Sequence, residues 1–216
     1  MASETSGARP RRERRTQAER SADTRERLLD ACLACLAERG WAHTTTTEVA
    51  ERAGVSRGAQ LHHFPSRGEL VAAAARHLAE RRLAEFARAV SELPEGTDFV
   101  SAGIDLLWGV FSDPTAYALL ELMIAARTDA ELRAHLEPEA RRLDRRFAEV
   151  AREFFPEPLH KSALLVALRD VAFLVLQGLA VQRVILDDPA RRREVLEFLK
   201  RLARQTLVAA MAKEDA

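Results

Sequence analysis

Wherever apolar residues gather in this chain they recur at intervals of three and four, and that spacing restricts it to helices. Leu28, Leu29, Cys32, Leu33, Cys35 and Leu36 trace one apolar stripe along a helical period. No alternating run long enough for a useful strand occurs, and no internal repeat. Ala, Leu, Arg and Glu dominate the 216 residues, and only nine Gly and eight Pro interrupt these strong helix formers. The expected fold class is all-α. A first helix runs from Asp23 to Gly40, which ends it as a residue just past a C-terminus does. Thr45 with Glu48, and Ser66 with Glu69, form capping boxes that open a short second helix and a long one reaching Val90. Between them Ser56 caps a helix at 57–63, closed by Pro65. Breaks at Asp113-Pro114, Pro156–Pro158 and Asp188-Pro189 separate further helices at 98–112, 114–127, 129–154, 158–186 and 189–212. The chain thus divides into a disordered basic arm at 1–21, a three-helix unit at 22–68 and a larger helical domain at 69–216.

Bulk properties exclude several classes. The formal net charge is zero and 47% of residues are hydrophobic, so a sizeable core forms and any basic surface is local. No apolar run approaches the roughly 18–20 residues of a membrane span. The first twenty residues carry six Arg and three Glu with no following apolar segment, unlike a secretory signal. Two Cys do not make a disulfide scaffold. A cytoplasmic location is expected, and no metal or other cofactor.

The second and third helices are joined by a tight Ala53-Gly54-Val55 turn, the form of a helix-turn-helix. Gly54 permits a positive φ, Ala50 lets the helices cross closely, and Val55 plugs the angle between them. The helix after Ser56 offers Arg57 and Gln60. Arg can make two hydrogen bonds to guanine, and Gln two to adenine, in a major groove.

The stretch "TTTTEVAERAGVSRGAQLHHFPSRGEL", residues 44–70, resembles the DNA-binding signature of the TetR family of bacterial transcription regulators. The resemblance is close over about 50 residues, from Gly40-Trp41 to the entry of the fourth helix, and beyond them only in plan. It implies an N-terminal helix-turn-helix domain followed by a larger helical ligand-binding and dimerisation domain. It implies a homodimeric repressor, released from a palindromic operator in double-stranded DNA by a small-molecule effector of apolar or aromatic character. It maps Thr44, Thr47, His62, His63 and Arg67 onto positions touching phosphates or base edges. The expected DNA-binding set is therefore Thr44, Thr45, Thr47, Ser56, Arg57, Ala59, Gln60, His62, His63 and Arg67. One departure stands out. The family commonly has Leu-Tyr where this chain has Gln60-Leu61, and Leu61 has no hydroxyl for a phosphate.

Other constellations are weaker. Adjacent helical residues point about 100° apart, so His62 and His63 cannot converge on one metal ion. Cys32 and Cys35 form a C-x-x-C, but within an apolar helical stripe; core packing is the first reading and a redox-switched regulator the alternative. No nucleophile elbow, P-loop, zinc-protease or dinucleotide motif is present, so an enzyme or a ligand-binding protein without operator specificity is the remote alternative. Phe86, Trp108, Phe111, Tyr117, Glu121, Arg127, Phe147, Phe173 and Gln177 are the candidate effector pocket. The last two helices are apolar on more than one side, and Leu164, Leu168, Val171, Val175, Gly178, Leu196, Leu199 and Ala203 are the candidate dimer interface. The fourth helix reaches from the reader unit to Leu83 and Phe86 in the larger domain.

Overall fold

The computed structural model describes residues 16–154 and 162–212. The helices are α1 (Gln17–His43), α2 (Thr46–Arg52), α3 (Arg57–His63), α4 (Arg67–Ser91), α5 (Phe99–Ser112), α6 (Ala116–Ala125), α7 (Ala130–Phe154), α8 (Ala163–Ile185) and α9 (Pro189–Ala212). Among the described residues there is no strand. Caps fall where side-chain oxygens meet unpaired N–H groups: Thr45, Ser56, Ser66 and Asp98 each accept from the backbone three residues on. The box at Thr45 is only half made, because Glu48 pairs with Arg39 at 2.7 Å instead of returning to the cap.

Two boundaries differ from expectation. α1 starts at Gln17, where Thr16 and Glu19 close a full capping box, so residues 17–21 belong to the helix and not to an arm. The rest of that arm, and Pro156–Pro158, lie outside the described residues. Gly40 breaks α1 as expected, at φ 72°, ψ 175°, but three helical residues follow the break, as far as His43.

Two cores organise the chain. In the first, Leu28, Leu29, Leu33 and Leu36 of α1 pack with Val49, Leu70, Val71 and Leu78, and also with Ala118, Leu122 and Leu132 of α6 and α7. The three-helix unit is therefore not closed at 68: its apolar surface is completed by α4, α6 and the start of α7. The second core joins α5, α8 and α9 through Ile104, Ala172, Leu176, Leu196, Leu199 and Ala203, with Leu168 and Val175 against it.

That second core corrects the proposed interface. Leu168, Val175, Leu196, Leu199 and Ala203 serve the interior of one chain, while the exposed apolar side chains include Leu164, Val171, Leu174 and Val181 on α8 and Phe198 and Leu202 on α9. Period decides this. Leu174 and Val181, seven residues apart, share a stripe with Val171 and Gly178, turned about 120° round the helix from the one that meets α5. α8 is also long and apolar enough to cross a membrane, contrary to the expectation that nothing here is; only 17% of that stretch is buried within the chain.

Candidate nucleic-acid interface and effector cavity

The turn between α2 and α3 is built from backbone bonds. Ala53 N–H donates to Val49 O at 2.9 Å, Gly54 N–H to Glu51 O at 3.0 Å and Val55 N–H to Ala50 O at 2.9 Å. Gly54 takes φ 63°, a conformation glycine adopts without strain. Arg27 of α1 donates to Ala53 O at 3.1 Å and braces the turn from behind. α3 then starts from Ser56, whose hydroxyl accepts Ala59 N–H at 3.2 Å.

One face of α3 is turned outward. Arg57, Gly58, Leu61 and His62 are exposed, Ala59 and His63 are half-buried, and Gln60 is 1% exposed. Gln60 Nε2 donates to Phe64 O at 2.8 Å, so the amide caps the end of its own helix inside the protein. Gln60 is thereby withdrawn from the base-reading set. Thr44 is withdrawn too: it is 1% exposed and its hydroxyl donates to Gly40 O at 2.8 Å, across the kink in α1. Thr45 and Thr47 remain exposed at the head of α2. His63 is held below the usual imidazole range, by burial first and then by the neighbouring His62 and Arg25.

Arg67 is turned inward. Its guanidinium lies 3.5 Å from the centre of the Trp41 ring and donates to Trp41 O. Burial lowers its pKa from the usual arginine value. The same Trp41 donates its N–H to Glu121 Oε1 at 3.1 Å. Glu121 is thus no pocket residue. With Arg67 it clasps the end of α1 between α4 and α6.

A cavity of about 220 Å³ lies in the larger domain between α4, α5, α7, α8 and α9. Phe86, Phe147 and Phe173 line it as expected, joined by Phe99, Ile104, Leu107, Phe154 and Leu207. Among the described residues that line it, the one charged side chain is Arg169, which Asp144 and Asp170 hold at 3.0 and 2.8 Å. The other expected members are elsewhere. Trp108 and Phe111 pack on the second core, Tyr117 donates to Ala180 O at 2.9 Å, Gln177 contacts Met123, and Arg127 is exposed. Phe99 and Leu207 were not signalled by the sequence, since nothing in local periodicity says which core positions are left unfilled.

Cys32 and Cys35 are both free and fully buried. Burial pushes the Cys32 thiol up to about 12 and raises Cys35 as well. The thiolate is the reactive form, so this setting disfavours a redox switch and leaves both sulfurs as core atoms.

A braced helix-turn-helix whose third helix turns Arg57 outward, ahead of a helical domain, is the arrangement of a DNA-binding transcription regulator. Residues 28–74 match the family described as bacterial regulatory proteins, tetR family. An HTH-type transcriptional regulator of Mycobacterium tuberculosis is 32% identical over 193 residues, covering 87% of this chain and 96% of that protein. A solved transcriptional regulator of Streptomyces coelicolor superposes with a TM-score of 0.62 at 23% identity, over 84% of this chain and 98% of that one. The multidrug binding protein EbrR, solved in complex with ethidium, superposes at 0.59 and 23% identity, over 83% and 97%. The chain belongs to the TetR family, and it is a regulator of transcription, not an enzyme.

Proposed function

We propose that this chain is a cytoplasmic homodimeric repressor that holds a palindromic operator and lets it go when a small apolar molecule enters the cavity. The observation that carries this reading is the placement of that cavity on α4. Phe86 lines it, while the first turn of the same helix carries Arg67 against Trp41 at the edge of the reader unit. A molecule that prefers the arrangement with the reading helices farther apart weakens DNA binding by its differential affinity for the two arrangements. Moving the operator from nearly full to nearly empty requires a preference of about 5.5 kcal/mol in total.

Charge defines the effector. Phenylalanines and aliphatic residues form the walls, and Arg169 is already neutralised by Asp144 and Asp170, so an uncharged aromatic or aliphatic molecule is the best match. The exposed stripes of α8 and α9 supply the dimer contact, and two reading helices on one dimer suit half-sites about 34–36 Å apart.

The test begins with a pool of random duplexes at fixed near-physiological salt, sequencing what the full-length protein retains. A palindromic motif is the expected result; retention without one would reduce the protein to phosphate binding. Naphthalene, as a neutral probe, and ethidium, as a cationic one, are then titrated into the complex. Release by naphthalene supports the effector class. Ethidium also intercalates in duplex DNA, so charge preference is read on the free protein. If ethidium binds it and naphthalene does not, the charge assignment is wrong, and if neither binds the cavity is not the effector site.

A further inference from the structure

Two residues of the outward face of α3 make no use of the protein's interior. Gly58 occupies the second position of the helix, is exposed, and does not have a positive φ. A Cβ built there meets nothing within 4 Å. Glycine weakens a helix relative to alanine by about fivefold in its local equilibrium, so an interior that accepts alanine gives no reason for it. Leu61 is 45% exposed on the same helix. A single exposed leucine is ordinary on a protein surface, but this one follows Arg57 by four residues and Gly58 by three, the spacings that stack side chains on one helical face. The face therefore presents a guanidinium, a gap and an isobutyl group in sequence, with His62 beside them.

We propose that Leu61 is a specificity determinant that reads thymine, packing on the C5 methyl group beside the base pair that Arg57 addresses. Gly58 is the gap that lets the base edges come close enough for both contacts. The methyl of thymine is the apolar feature of a major groove, and aliphatic side chains recognise it by excluding water from it. Leu61 has no hydrogen-bonding group, so it cannot anchor on phosphate. Its neighbours on the exposed face are Arg57, Gly58 and His62, with no second large apolar side chain among them, which sets it apart from the apolar stripes of α8 and α9. The inference rests on α3 being the DNA-reading helix.

Thymine can be changed by one methyl group, which makes the test specific. The duplex selected from the random pool is resynthesised with deoxyuridine replacing each thymidine in turn, and affinity is measured for the full-length protein, Leu61→Ala and Gly58→Ala. At one position per half-site, uracil is expected to weaken wild-type binding by about fourfold, one buried methyl's worth of transfer. In Leu61→Ala that penalty should vanish, as a contact already removed cannot be removed again. Gly58→Ala should melt higher than wild type and bind the operator at least tenfold more weakly. A uracil penalty that persists in Leu61→Ala, or none at any thymine, overturns the role of Leu61. Unchanged affinity in a stabilised Gly58→Ala overturns the role of the gap. Failure of the pool to yield any motif removes the DNA-reading assignment itself, and with it this inference.

Discussion

Gly40 combines a backbone conformation that side chains avoid with a contact that leaves no room for one. At φ 72°, ψ 175° it lies in a region open almost only to glycine, and a Cβ there would sit 2.7 Å from Glu121 Oε1. Gly40→Ala is expected to lose about 1–3 kcal/mol, seen in thermal denaturation as roughly 2–4 °C for each. Gln60 invites the opposite experiment. Because its amide is consumed by Phe64 O, Gln60→Ala should cost about 2 kcal/mol of stability while leaving base preference in the random-pool selection unchanged. Arg57→Ala should do the reverse. A shifted preference in Gln60→Ala would return that residue to the reading face.

At the level of elements, the joint between α1, α4 and α6 matters most. Trp41 is bound through its ring and carbonyl by Arg67 and through its N–H by Glu121. Arg67 was expected on a phosphate or base edge, as the resemblance to the TetR family implies. Stacking on Trp41 removes it from that role. Arg67→Ala should lower stability by about 1.5–3 kcal/mol, the range for a hydrogen bond to a charged group. The salt dependence of DNA affinity should keep its slope; a slope shallower by about one would place the guanidinium on a phosphate after all. Helix starts were legible because Thr45, Ser56 and Ser66 each satisfy a local backbone need. The start of α1 was not, because its capping box at Thr16 and Glu19 opens a polar turn that carries no apolar stripe to mark it.

Over the whole molecule, the two faces of α8 and α9 separate residues of the core from those of the proposed dimer contact. Leu196 is buried on the second core, whereas Leu174 is 69% exposed and Phe198 61% exposed. Leu174→Glu is therefore expected to yield a folded monomer by sedimentation, with operator affinity lost because half-sites can no longer be held at fixed spacing. Leu196→Glu should fail to fold, by burying an unpaired charge. If Leu174→Glu remained dimeric, the partner surface would lie elsewhere.

What the sequence by itself determined is everything that rests on neighbours along the chain. Most of the helices, the caps at Thr45, Ser56 and Ser66, and the Gly54 turn each follow from residues within a turn or two of one another, and the resemblance of residues 44–70 to a known signature marked the reader. Only the tertiary structure decided which face of a helix apolar on more than one side looks inward, because Leu168 and Leu174 differ in surroundings and not in chemistry. It also decided that Gln60, Thr44, Arg67 and Glu121 turn toward the protein. A polar side chain goes to whichever unpaired donor or acceptor the fold brings within reach, and here Phe64 O, Gly40 O and the backbone of Trp41 were nearest.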